Sequence, residues 1–155
     1  MQNLADDRLR NGNIDLPKPT QTRFEQRDLS NGNKLVYVSA LRSFHERSGQ
    51  IGREISTDEG SKLTRFCLLN VLANLKAACG SDLNRVVRCV KVTALMNASP
   101  QFREHPRVLD SASDLLVEIF GEAGTHARSA IGTNDLPANA AVKIDAIFEV
   151  RGSNS

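Results

Sequence analysis

The sequence predicts a two-layer α+β domain in which two main helices pack on one face of a single sheet. Three observations carry this. A helical apolar pattern opens on a capping box at Ser56 and runs to Ala78. A second helical pattern runs from about Ser111 to Phe120, and the chain closes on a strand that alternates from Val142 to Val150. The order is hairpin, helix, strand, helix, two strands. Two such helices cover one sheet face and leave the other open, and an open apolar face needs a partner, so an oligomer is expected.

Each element has a local reason. Leu4 to Arg10 can form one or two helical turns, stopped by Asn11-Gly12-Asn13, after which Pro17 and Pro19 keep the chain extended. Phe24–Leu29 and Lys34–Ser39 read as a hairpin about the turn Ser30-Asn31-Gly32-Asn33. The polar stretch Leu41–Glu54 reads as a loop with a short strand near Gln50-Ile51. In the capping box, Ser56 bonds the third helical N–H and Glu59 reaches back. Leu68, Leu72 and Leu75 then form an apolar side, joined by Phe66, Leu69 and Ala73, and Gly80 is the expected stop. Arg85–Met96 is rich in β-branched residues and reads as a strand. Two prolines make Asn97–Pro106 irregular or only briefly helical. In the second helix Leu115/Ile119 and Leu116/Phe120 pair at helical spacing, and Gly121 or Gly124 ends it. In the last strand Val142, Ile144, Ala146, Phe148 and Val150 face one way, and Lys143, Asp145 and Glu149 the other. Residues 1–22 are expected as a helical and extended arm, 23–151 as the domain, and 152–155 as a disordered tail.

Composition bounds the function. At 155 residues the chain can bury a core without disulfides or metal. A net charge of +2 does not point to nucleic acid or an anionic membrane. No apolar run approaches a membrane span, and Met1–Arg10 lacks the apolar core of a secretory signal. Cys67, Cys79 and Cys89 are odd in number and lack metal spacing. They are expected as reduced core thiols in a cytoplasm. His45, His105 and His126 show no ligand spacing, so neither metal nor cofactor is expected.

The most informative stretch is His126-Ala127-Arg128-Ser129-Ala130-Ile131, followed by Leu136-Pro137. A guanidinium within a short apolar strand is costly to bury without a partner. Its planar fork suits a carboxylate or phosphate. The plainer reading is a surface or interface arginine.

Ala127-Arg128-Ser129, Leu136-Pro137 and the closing strand resemble the C-terminal signature of the reactive intermediate deaminase superfamily, also called RidA or YjgF. Some of its members are described as endoribonuclease L-PSP or translation inhibitors. The likeness covers most of the chain, including Leu35–Ser39, Glu59–Ala78 and Gly80–Val87. The run Ala112–Glu122, continuing through Gly124–Ala130, is similar to a longer bacterial-type subgroup. The resemblance implies a chorismate-mutase-like fold with a mixed sheet, assembled as a homotrimer with ligand clefts between subunits. It also implies that Arg128 clamps the carboxylate of an imine or enamine derived from an amino acid, while water attacks the C=N carbon and ammonia leaves.

The chain departs from that pattern in three places. Fifteen residues after the arginine, where the resemblance implies a water-orienting glutamate, stands Lys143. Two cations ~5 Å apart at an effective dielectric of ~20 repel by roughly 3 kcal/mol, so Arg128 with Lys143 would hold an anion well. Alternatively, Lys143 faces solvent. The family's Ser-Gly-Gln reads Ser39-Ala40-Leu41, which keeps a serine able to bond a ligand carboxylate. The family's N-terminal tyrosine falls near Phe24, which keeps the stacking surface without the hydroxyl. The cleft asparagine has no assigned counterpart, because the segment before Asp114 differs in length. His126 shares a strand face with Arg128 and lines the same cleft, or is a hydrogen-bonded structural residue.

The expected ligand site is therefore Arg128, Ser39, Phe24, Lys143 and His126, with Arg128 catalytic. The leading expectation is a 2-imino/enamino acid deaminase, and the alternative is a non-catalytic binder of a small carboxylate metabolite. An RNA-cleaving translation inhibitor comes third. Arg85, Arg88 and Lys91 form only a thin basic run, and the single tyrosine, Tyr37, lies in a core-type strand.

Overall fold

Helix α1 (Ala5–Asn11), strands β1 (Phe24–Asp28) and β2 (Lys34–Arg42), helix α2 (Thr57–Ala78), strand β3 (Val86–Asn97), helix α3 (His105–Phe120) and strands β4 (Ala127–Thr133) and β5 (Val142–Val150) follow in chain order. The computed structural model describes residues 4–20, 24–42 and 48–153, without the side chains of Phe24, Leu41 and Arg42. His45 therefore lies outside the described residues, as do the end of the tail and part of the expected loop. Among the described residues the strands form one mixed sheet in the order β1-β2-β5-β3-β4. Only the β3–β4 pair is parallel. Parallel neighbours need a crossover, and α3 supplies it.

Both long helices lie on one side of the sheet, α2 against β2 and β5, and α3 against β3 and β4. The inward rows Val36/Val38/Ala40, Val92/Ala94/Met96 and Ile144/Ala146/Phe148 are buried in one core with Leu68, Leu72, Leu109 and Leu116. The alternation expected for 142–150 is present in β5. The capping box is also present: Ser56 Oγ accepts from the Glu59 N–H at 3.1 Å, and the Ser56 N–H donates to Glu59 Oε2 at 2.9 Å. Gly80, at φ +66°, provides the left-handed turn that ends α2. No described helix is long and apolar enough to cross a membrane.

Several local expectations are corrected. Helix α3 begins at His105, six residues before Ser111, because Pro106 sits in the first turn, where its missing N–H is not needed. Phe66 does not join the core and is 49% exposed. Two residues from Leu68 is a rotation of about 200° on a helix, so Phe66 points away from the sheet. Strand β2 runs three residues past Ser39, pairing with β5 as far as Arg42↔Val142. The short strand near Ile51 is reduced to isolated bridges to Ile55 and Ala98. Tyr37 is 40% exposed, because its register partners Glu25 and Ile147 belong to the outward row. Cys67, Cys79 and Cys89 are buried and unbridged, and burial pushes the Cys79 and Cys89 thiols up to about 11 and about 12.

The open sheet face is mixed in character, carrying Tyr37, Ser39, Lys91, Thr93, Asp145 and Ile147. At its far end Glu149, 7% exposed, ties the hairpin turn to the sheet. It accepts from Arg88 Nε at 2.8 Å, Asn33 Nδ2 at 2.8 Å and Asn31 Nδ2 at 3.4 Å. The bond from Arg88 first, and then that from Asn33, holds its carboxyl below the usual carboxylate range. A depressed folded pKa gives stability that is present above the unfolded value of about 4.3 and is lost as pH falls through the folded value. Glu149→Gln should therefore cost about 1–3 kcal/mol at pH 7. The gap to the parent should close in thermal melts run below the folded pKa, and a gap independent of pH would refute the charged clasp.

Candidate functional site

Arg128 stands on the edge strand β4. Its register partner is Val92, which is paired in turn with Ala146, and both are buried on the helix side. Arg128 therefore reaches back over the sheet edge to α3 rather than out to the open face. Its Nη1 lies 2.8 Å from Asp110 Oδ1 and donates to Ser113 Oγ at 3.1 Å. Asp110 and Ser113 are one helical turn apart, so one flank of α3 presents both to the same nitrogen. Those two partners use both Nη1 hydrogens. The Nη2–Nε edge, with its parallel N–H pair, makes no hydrogen bond among the described residues. Two parallel donors on an arginine one-third exposed suit a carboxylate approaching from outside.

His126 lies just before β4 and meets the same serine. Its Nε2 is 3.0 Å from Ser113 Oγ, and its Nδ1 is 2.5 Å from the Gly124 carbonyl oxygen. The juxtaposition of His126 with Arg128 expected from strand spacing is present, with a serine on a helix joining them.

Ser39 and Lys143 are elsewhere. Lys143 is paired with Leu95, whose β4 partner is Ile131, so it belongs to the row facing away from the helices. The expected side-by-side pair of Arg128 and Lys143 does not form within one protomer, because the two residues stand on opposite faces of the sheet. The Lys143 ammonium instead lies 3.2 Å from Asp145 Oδ1, and Ser39 Oγ donates to the same oxygen at 2.5 Å. Ser39 and Asp145 line a shallow depression of about 330 Å³ with Tyr37, Lys91 and Thr93. Phe24 opens β1, in register with Val38. Among the described residues no group of His, Cys, Asp and Glu side chains is arranged to hold a metal ion.

The sequence reading missed three of these residues. Asp145 was detectable as the same-face neighbour two positions beyond Lys143. Asp110 and Ser113 form an i, i+3 polar pair beside an apolar stripe, a spacing too common to mark a site before their strand partner is known.

The family model described as "YjgF/chorismate mutase-like, putative endoribonuclease" matches residues 29–149. The chain belongs to the YjgF/RidA family. The matched region contains Arg128, His126, Ser39 and Lys143, while Phe24 and α1 precede it. Among solved structures, an Agrobacterium tumefaciens protein of unknown function is 32% identical, with a TM-score of 0.81 over 94% of this chain and 92% of that one. A Shewanella oneidensis protein carrying the same endoribonuclease description is 29% identical, with a TM-score of 0.81 over 96% and 100%. Protein TCP17 of Trypanosoma cruzi is 44% identical over 104 residues, which are 66% of this chain and 64% of that protein. The match thus spans less than two thirds of the trypanosome protein.

Lys143 occupies the position where the family resemblance placed a glutamate, and its pairing predicts what restoring the acid does. Lys143→Glu would put two carboxylates on one strand face beside Ser39. The loss of the pair and the new repulsion should cost about 1 kcal/mol, read as a lower Tm that recovers in high salt. A Tm insensitive to salt would show that the Lys143–Asp145 pair contributes nothing.

Proposed function

We propose that this protein binds a small carboxylate-bearing metabolite through the free edge of Arg128. We further propose that it hydrolyses 2-imino or enamino acids at clefts between the subunits of a cytoplasmic homotrimer. The supporting observation is the division of labour within the guanidinium: Nη1 is committed to Asp110 and Ser113, and the Nη2–Nε fork has no partner among the described residues. In the reaction, water adds to the C=N carbon, the nitrogen takes up protons and leaves as ammonia, and a 2-oxo acid remains. Arg128 holds the substrate carboxylate and so places the imine carbon for attack. Proximity within a held complex contributes more to rate than the strength of the hold.

A second reading has its own support. The position expected to carry the water-orienting glutamate holds an ammonium already tied to Asp145, which favours a binder without chemistry. The ribonuclease reading has little behind it. Arg85 donates to the Cys79 and Arg151 carbonyl oxygens, and Arg88 is bound to Glu149, so two of the three basic side chains in that run are used internally.

The test is ammonia release from freshly generated 2-iminobutanoate, with Arg128→Ala alongside. Release that disappears in the variant supports the deaminase. A folded wild-type protein without activity moves the reading to the binder, and binding is then measured with the product, 2-oxobutanoate.

A further inference from the structure

The contacts around Arg128 have a direction. A carbonyl oxygen can only accept, so His126 Nδ1, 2.5 Å from the Gly124 carbonyl, carries the proton. In the neutral ring Nε2 is then an acceptor, and Ser113, 3.0 Å away, has one hydroxyl proton to give it. That leaves the Ser113 lone pairs to accept from Arg128 Nη1 at 3.1 Å. Asp110 takes the other Nη1 hydrogen. The donors run one way, from Arg128 through Ser113 and His126 to the backbone, and none is used twice. The anchor is rigid. A Cβ added at Gly124 would lie 2.2 Å from the Leu116 carbonyl oxygen, so the 3-10 turn at Gly121–Gly124 is packed directly on the end of α3.

We propose that Ser113 and His126 are positioning residues, forming a one-directional relay that fixes the Arg128 guanidinium with its Nη2–Nε edge turned to the ligand. The inference rests on the carboxylate-clamp reading and deepens it. An arginine on an edge strand samples many rotamers, and each must be given up when a carboxylate binds. A guanidinium already fixed at one nitrogen loses less, and preorganisation of this kind appears as affinity.

The test uses the full chain, calorimetric titration with 2-oxobutanoate, and ¹⁵N NMR of the His126 ring. Ser113→Ala and His126→Phe should each weaken binding about five- to tenfold with Tm near the parent value. Ser113→Thr, which restores the hydroxyl, should return it to within about twofold. The NMR should show the Nδ1–H tautomer, the minor one for free neutral imidazole. Parent-like binding in Ser113→Ala, with binding lost in Arg128→Ala, would overturn the relay and leave the clamp standing. An Nε2–H tautomer would also overturn it. If Arg128→Ala binds like the parent, or the parent does not bind, the clamp itself fails and the relay loses its purpose.

Discussion

Arg128→Ala should weaken 2-oxobutanoate binding by about 100-fold or more, since a bidentate carboxylate contact is two charge-assisted bonds of roughly 1.5–3 kcal/mol each. The fold should be nearly unaffected. The side chain is one-third exposed, and its ion pair is with an exposed aspartate, a kind of pair worth about 1 kcal/mol or less. Calorimetry and a thermal melt on the same sample separate the two effects. If Tm collapses along with binding, Arg128 is a structural residue, and its bonds to α3 exist to hold β4 in place. Arg128→Lys discriminates further, because an ammonium keeps the charge and loses the fork. Recovery of less than about a tenth of the affinity would point to the fork, not the charge, as the recognition element.

The second large effect is on stability. In Gly124→Ala the new methyl would meet backbone, 2.2 Å from the Leu116 carbonyl oxygen and 2.8 Å from the Val117 nitrogen. Backbone within a helix cannot swing aside, so the 3-10 turn must lift off α3. Overpacking costs about 1–3 kcal/mol, and with nothing free to yield the upper end is expected, roughly 6–12 °C in Tm for a chain of this size. Gly132→Ala is the matched comparison. There the methyl would lie 2.5 Å from His105 Nε2, the far end of a side chain that can turn, so its cost should stay below about 1 kcal/mol. Equal losses in the two variants would mean that the turn at Gly124 is soft. Because the Gly124 carbonyl holds His126, Gly124→Ala should also loosen ligand binding.

Where local chemistry decides the structure, it was legible in the sequence. Ser56 with Glu59 marks the start of α2 because the two side chains satisfy each other's backbone N–H groups, a relation confined to four residues. The alternation from Val142 to Val150 marks β5 because one face of it is buried. Pro106 misled because a proline breaks a helix interior but suits its first turn, and the sequence does not say which position it holds. Phe66 misled because an apolar residue among leucines invites inclusion whatever its angle on the helix. The site was legible only in part. Arg128 and His126 are marked by their strand and its Leu-Pro turn. Placing Lys143 beside Arg128 required knowing that β5 lies between β2 and β3, and which of its faces carries position 143. Strand order is set by packing over the whole chain, and no local signal carries it. Asp110 and Ser113 meet Arg128 because α3 packs against β4, so these contacts follow from the topology.

The α3 crossover separates the durability of the site from that of the fold. Among the described strands β5 is paired on both sides, by β2 and β3, whereas β4 is paired on one side, with β3. Opening free energies within one protein run from near zero at frayed edges up to the global value in the core. Amide exchange in a protomer should accordingly be faster in the edge strands β1 and β4 than in the central β5. Each excursion of β4 carries Arg128 away from Asp110 and Ser113 while the core remains intact. Under the proposed clamp, fraying of this seven-residue edge, rather than global unfolding, would set how much of the protein is competent to bind at any instant. A substitution can empty the site without lowering the melting temperature.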